Sequence, residues 1–203
     1  MRRVIFQEAY FVNSVDEAAE KWARDFGAGP FFAVRNQGTE EFTYRGTDIE
    51  AEVNYAFGYL GDMMIQFIDQ NNDTPSIYRD MFARGEEGFH HFGYIVSDYG
   101  AERQRLLSAG YDLATELKVD GVNAAYFDTR ETNGVFTEIH GDPMHMLGLF
   151  WNWRRLHEAR QDGDAAVIEI QDMPVYQAAD MLPKDKAFAV GDKPKASLRY
   201  SLW

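Results

Sequence analysis

The chain states one pattern twice, and this repeat limits its possible folds more than any other feature. Gln7-Glu-Ala-Tyr-Phe-Val-Asn-Ser is echoed by His91-Phe-Gly-Tyr-Ile-Val-Ser-Asp, and Met63-Met-Ile-Gln-Phe-Ile by Val135-Phe-Thr-Glu-Ile-His. Self-similarity at this spacing means that one supersecondary unit occurs twice and buries its apolar face against its copy. The first copy opens with a β-branched and aromatic run, Val4 to Val12, which predicts a strand. A helix is expected over Val15 to Phe26, with Ser14 as N-cap, acidic residues in its first turn and Ala18, Ala19, Trp22 and Phe26 as its apolar face. Strands follow over Phe31 to Arg35, Glu50 to Leu60 and Met63 to Ile68, with Gly61-Asp62 as a tight turn. The second copy predicts a helix over Tyr99 to Ala109 ended by Gly110, then strands over Leu113 to Val119, Asn123 to Asp128 and Gly134 to His140.

The expected fold class is therefore α+β, with two βαβββ modules forming a curved mixed-sheet cleft and a C-terminal helix-and-strand extension. Residues 1–70 make the first module, 71–88 a polar connector with a short helix over Ser76 to Arg84, 89–143 the second module and 144–203 the extension. In the extension, the run from Met144 predicts a helix with an aromatic face. Asp162-Gly163-Asp164 reads as a turn, and Ala165 to Ile170 and Ser197 to Trp203 as short strands with a Pro-containing loop between them. The extension packs on the core or on a partner subunit, or forms a lid that brings Trp151 or Trp153 to the pocket with Arg154 or Arg155 as anion anchors.

The repeat also places chemistry. Gln7 and His91 fall early on the first strand of each copy, Gln66 and Glu138 on the last. Side chains alternate along a strand, so Gln7 shares a face with Ala9 and Phe11, and His91 with Gly93 and Ile95. If the copies pack about a pseudo-twofold axis, four polar side chains converge in an otherwise apolar cleft, as a small-molecule site requires. Buried and unpaired, Glu138 would be costly, which favours a functional role over a packing role. His140, two residues on, shares its face. Tyr126 either faces the cleft or packs with its hydroxyl satisfied at an edge. His90 should point to the opposite face of its strand from His91, in a structural role or at a subunit contact. His145 and His157 read as surface or helix residues.

Composition narrows the function classes. A formal charge of −13 over 203 residues sets long-range repulsion against nucleic acid and anionic membrane surfaces. The absence of cysteine removes disulfides, thiolate metal sites and cysteine nucleophiles. No run approaches the roughly 20 apolar residues of a membrane span, and the N-terminal residues lack a signal peptide's apolar core, so a cytoplasmic location is the expectation.

These motifs resemble the vicinal-oxygen-chelate (glyoxalase/bleomycin-resistance/dioxygenase) superfamily, nearest to the methylmalonyl-CoA epimerase and glyoxalase-like branch. The resemblance is carried by Phe6-Gln-Glu-Ala-Tyr-Phe-Val, Gly29-Pro-Phe-Phe, Gly61-Asp-Met-Met-Ile-Gln-Phe-Ile, Phe89-His-His-Phe-Gly-Tyr-Ile-Val, Tyr126-Phe-Asp-Thr and Phe136-Thr-Glu-Ile-His. It implies one divalent metal (Mn, Co, Ni, Zn or Mg) held by Gln7, Gln66, His91 and Glu138, with Glu138 as catalytic base. The implied reaction is proton transfer beside the carbonyl of a small-molecule substrate, by an epimerase, isomerase or glyoxalase-like lyase. The substrate pocket would draw on His140, Tyr126, Phe11 and Trp151, and Glu50 and Glu52 are the available second bases. A CoA thioester, a thiol adduct and an aromatic catabolite all remain open as substrates. A homodimer is implied by the family and by exposed sheet edges. Two amides make a weak cage, so a metal-free sequestering protein of the same fold stands as the alternative; with Gln7 in place of a histidine, an iron dioxygenase is disfavoured.

Overall fold

The structure is a computed structural model and describes residues 3–174. The expected strand over Ser197 to Trp203 and the Pro-containing loop before it lie outside these residues.

The first module runs β1 (Ile5–Phe11), α1 (Val15–Phe26), β2 (Phe31–Val34), a hairpin of β3 (Glu41–Tyr44) and β4 (Thr47–Asp48), then β5 (Val53–Leu60) and β6 (Met63–Gln70). The short α2 (Ile77–Met81) occupies the connector. The second module is β7 (Gly88–Ile95), α3 (Tyr99–Ser108), β8 (Asp112–Val119), β9 (Val122–Asp128), the single turn α4 (Arg130–Asn133) and β10 (Phe136–His140). A long α5 (Met144–Glu158) and β11 (Val167–Glu169) close the described chain.

All eleven strands join one mixed sheet in the order β11-β2-β5-β6-β1-β7-β10-β9-β8-β3-β4. β1 and β7 pair antiparallel at its centre, and each pairs parallel with the last strand of its own module, β6 and β10. Reading outward from that central pair, corresponding strands succeed each other on both sides. The sheet thus carries the pseudo-twofold relation that the sequence repeat predicts.

The β3–β4 hairpin is absent from the sequence reading. Its two-residue turn needs positive φ at both central positions, supplied by Arg45 (φ 49°) and Gly46 (φ 80°). An arginine there is an uncommon turn former, so the signal is faint. The hairpin leaves the first module and pairs with β8 of the second, tying the two halves together. At the opposite edge β11 pairs parallel with β2. Both outer edges of the eight-stranded core, expected to be open, are therefore capped by strands of two to four residues.

α1 begins as expected, with Ser14 Oγ accepting the Glu17 amide, and ends at Gly27 in the left-handed region. It packs Val15 and Ala19 against Phe31, Ile65 and Phe67 and also buries Ala23, while Phe26, expected on the buried face, is 59% exposed. A separate apolar layer forms where α5 packs on the sheet: Met146, Leu147, Phe150 and Trp153 meet Phe6, Phe32, Tyr59 and Met64.

Candidate functional site

The four polar residues picked out by the repeat meet at one point. Gln7 Nε2 donates to Gln66 Oε1 at 3.0 Å and to Glu138 Oε2 at 3.0 Å, and lies 3.4 Å from His91 Nε2. His91 Nε2 and Glu138 Oε2 are themselves 3.4 Å apart. All four side chains are buried, His91 completely. Adjacent first strands bring Gln7 and His91 across the central seam, and the parallel pairings place Gln66 and Glu138 beside them.

Two bulges refine this placement. Along the central pair, Ile5 lies opposite Tyr94 but Gln7 opposite Gly93, and Ala9 lies opposite His91 but Tyr10 opposite Phe89. Phe6 and His90 are the skipped residues, each immediately before a site residue and so equivalent in the repeat. A bulge breaks the alternation of side chains between faces. His90 is consequently not turned away from His91 or exposed for a subunit contact: it is fully buried, and its Nδ1 lies 2.8 Å from His91 Nδ1.

This contact sets the tautomers. His90 Nε2 is 3.1 Å from the Ile77 carbonyl oxygen, which can only accept, so Nε2 carries the proton. Burial, reinforced by the neighbouring His91, pushes the His90 pKa well down and keeps the ring neutral, leaving Nδ1 bare. His90 Nδ1 therefore accepts from His91 Nδ1–H, and the His91 lone pair at Nε2 faces the convergence point. On the other side, the Tyr126 hydroxyl donates to Glu138 Oε1 at 2.8 Å. Burial opposes ionisation of Glu138, yet donors to both its oxygens, the Gln7 amide at Oε2 and the Tyr126 hydroxyl at Oε1, favour the charged form, and the carboxyl is held below its usual range. Burial, then the Glu138 charge, raises the Tyr126 phenol well above its own.

Above these residues lies a cavity of about 300 Å³. Its floor is Gln7, Gln66, Tyr126 and Glu138, and both modules supply walls, from Val34, Tyr55 and Phe57 on one side to Leu117, Val122 and Ala124 on the other. The sheet therefore curls around it. His140 lines the cavity, with its Nδ1 3.1 Å from the Gly141 carbonyl, so Nε2 is its bare nitrogen. The remaining wall is α5, through His145, Met146, Leu149, Phe150 and Trp153.

Several expected site residues fall elsewhere. Phe11 does not line the cavity; it is buried beside it, stacked on Tyr78 and Phe82 with Arg79 over its ring. Trp151 is on the side of α5 away from the cavity, under Arg155, because helical geometry turns Trp153 inward instead. Arg154 pairs with Asp62 and Glu158, and Arg155 with Glu158, so neither is an anion anchor in the cavity. Glu50 and Glu52 are exposed before β5 and do not reach it. His145, expected at the surface, does lie exposed but at the cavity rim, while His157 is half-buried with its Nδ1 on the Gly29 carbonyl. Sequence reasoning missed His90 as a partner of His91 and Phe57 as a wall residue, while of its two alternatives Trp151 and Trp153 the latter reaches the cavity. The bulge at Phe6 and its equivalence to His90 leave only a weak sequence trace, an aromatic ring before each site residue.

The donor set fits a divalent cation. Gln66 Oε1, His91 Nε2 and Glu138 Oε2 surround the Gln7 amide nitrogen, and rotating that amide exchanges nitrogen for oxygen and supplies a fourth ligand. One imidazole, one carboxylate and two amide oxygens suit a six-coordinate ion that leaves positions for ligand oxygens. Among the described residues no group of three or more His, Cys, Asp or Glu is placed to hold a metal, so any ion here relies on the two glutamines.

Solved structures share this architecture. Methylmalonyl-CoA epimerase from Mycobacterium tuberculosis superposes with a TM-score of 0.52 at 17% identity, covering 70% of this chain and 89% of that one. A methylmalonyl-CoA epimerase in complex with methylmalonyl-CoA and NH4+ gives 0.52 at 18% identity, covering 70% and 95%. A hypothetical protein from Bacillus halodurans C-125 gives 0.51 at 15%, covering 70% and 96%. No curated relative matches the chain by sequence. The sequence profile of the Glyoxalase/Bleomycin resistance protein/Dioxygenase superfamily matches residues 6–127, more than half of the chain and both copies of the repeat's opening strand. With that match and the paired modules of its sheet, the chain belongs to the glyoxalase/bleomycin resistance protein/dioxygenase superfamily.

Proposed function

We propose that the chain is a metal-dependent enzyme that moves a proton next to a carbonyl, as an epimerase, isomerase or glyoxalase-like lyase. The observation that carries this reading is the convergence of Gln7, Gln66, His91 and Glu138, with Gln7, Gln66 and Glu138 at the floor of a cavity large enough for a small molecule and His91 directly behind them. A divalent ion (Mn²⁺, Co²⁺, Ni²⁺, Zn²⁺ or Mg²⁺) held by these four would polarise adjacent substrate oxygens and stabilise an enolate. Glu138, whose carboxyl accepts from Gln7 and Tyr126 and is held below its usual range, is the base that takes the proton from carbon. The Tyr126 hydroxyl occupies Oε1, so Oε2, the atom facing Gln7, would take the proton on leaving the ion. His140, with its bare Nε2, is the group in the cavity that serves as second base.

The test is metal content and affinity of the purified protein beside Glu138→Gln and His91→Ala, with solvent deuterium incorporation into carbonyl substrates. Stoichiometric metal in the wild type, lost in both variants and accompanied by deuterium exchange, is the expected result. Wild-type protein that takes up none of the five ions removes the proposal. A metal-free binding protein then becomes the better reading, favoured by one observation: the Gln7 amide already satisfies acceptors on Gln66 and Glu138 without a cation. The proposal includes a homodimer, and sedimentation that shows only monomer mass across the micromolar range would remove that part alone.

A further inference from the structure

We infer that this site takes a largely apolar molecule carrying an aromatic ring and two adjacent oxygens, such as an aromatic α-hydroxyketone, and not a phosphorylated or CoA-linked substrate. The position of the two oxygens rests on the proton-transfer reading; the rest comes from the cavity itself. Its polarity is layered. The polar groups concentrate in the buried floor, and above it the walls, Gln37 and His140 apart, are aliphatic and aromatic up to an exposed rim of Asp120 and His145.

Among the described residues the lining contains no lysine or arginine. Away from the floor, an anionic group brought against such walls would lose its hydration and gain no side-chain cation in return. The rim adds an acidic Asp120, and the chain's formal charge of −13 repels phosphate-bearing ligands before contact. The nearby arginines on α5 are turned to Asp62 and Glu158 instead. The aromatic preference comes from Phe57, Phe150 and Trp153. Trp153 stacks on Phe57 at 5.1 Å and lies 5.4 Å from Phe150, a rigid apolar wall that matches a ring face. Phe150 and Trp153 both stand on α5, the helix that follows the two paired modules.

The experiment is binding, read by calorimetry and tryptophan fluorescence at pH 8, with benzoin as neutral probe and propionyl-CoA as anionic probe. Benzoin is expected to bind at least tenfold more tightly than propionyl-CoA and to quench fluorescence, with most of the quenching lost in Trp153→Phe. Leu149→Arg, which places a cation in the wall, should weaken benzoin and tighten propionyl-CoA, each at least tenfold, with circular dichroism unchanged. Equal or tighter binding of propionyl-CoA by the wild type, or no binding of benzoin, overturns the inference. Benzoin that binds without incorporating solvent deuterium leaves the substrate class standing and counts against the proton-transfer reading, so the two can fail separately.

Discussion

His90 faces neither solvent nor the cavity, yet it decides which nitrogen of His91 is bare. Partners of this kind behind a metal ligand typically matter by about 10–100-fold in affinity. His90→Ala is expected to weaken metal binding within that range in a competition titration. His90→Gln, whose amide can accept from His91 and donate to Ile77, should recover part of it. Gly93 shows the same economy of space: a Cβ there would stand 2.8 Å from Glu138 Oε2 and 3.1 Å from Phe6 Cε1. The carboxylate is the free end of its side chain and can swing aside, so Gly93→Ala should cost only about 1–3 kcal/mol of stability. Metal affinity and deuterium exchange should nevertheless fall steeply. Retained affinity with full exchange would show that the Glu138 position is not critical. The His91 and Glu138 site was legible in sequence because the repeat aligns them. His90 was not, because a bulge cannot be read from alternation.

At the scale of elements, α5 does more than close the chain. Phe150 stacks on Phe6 at 5.6 Å and on the Trp153 side of the cavity, joining core to wall. Phe150→Ala is expected to destabilise by about 3–5 kcal/mol in urea unfolding and to weaken aromatic ligands as well. α3 illustrates an electrostatic anchor. The Glu102 carboxyl is held far below the ordinary 4.5 by its hydrogen bond to Arg3, against the opposing effect of burial, with Arg105 and Tyr94 adding to it. A depressed carboxyl pKa contributes stability above the unfolded range and loses it as pH falls. Glu102→Gln should therefore cost about 1 kcal/mol at neutral pH, the low end because Arg3 and Arg105 are both more than a third exposed. The gap should close as the pH is lowered below about 4.5. A gap that persists at low pH would mean that Glu102 acts through packing alone. Both helices and their approximate positions followed from sequence, whereas the inward turn of Trp153 over Trp151 depended on how α5 rotates on the sheet.

At the scale of the molecule, the capped sheet edges change how an assembly can form. β11 covers β2 and the β3–β4 hairpin covers β8, and edge strands this short offer little template for a second chain. A homodimer of this protein therefore has to use a face of the sheet or its helices. Cross-linking and sedimentation should locate its contacts away from residues 41–48 and 167–169. Contacts mapped to either segment would contradict this reading.

Hydrophobic periodicity, caps and turns are local, so the sequence alone determined the two modules, most of their strands and helices, and the two residues of each half that would face one another across a twofold relation. Other features depend on contacts between residues far apart in the chain. They include the hairpin that crosses to the other module, the bulges that turn Phe6 and His90 inward, and the rotation of α5 that makes Trp153 a wall. Only the packed sheet could decide these, because each is fixed by which surface is left for it to bury against.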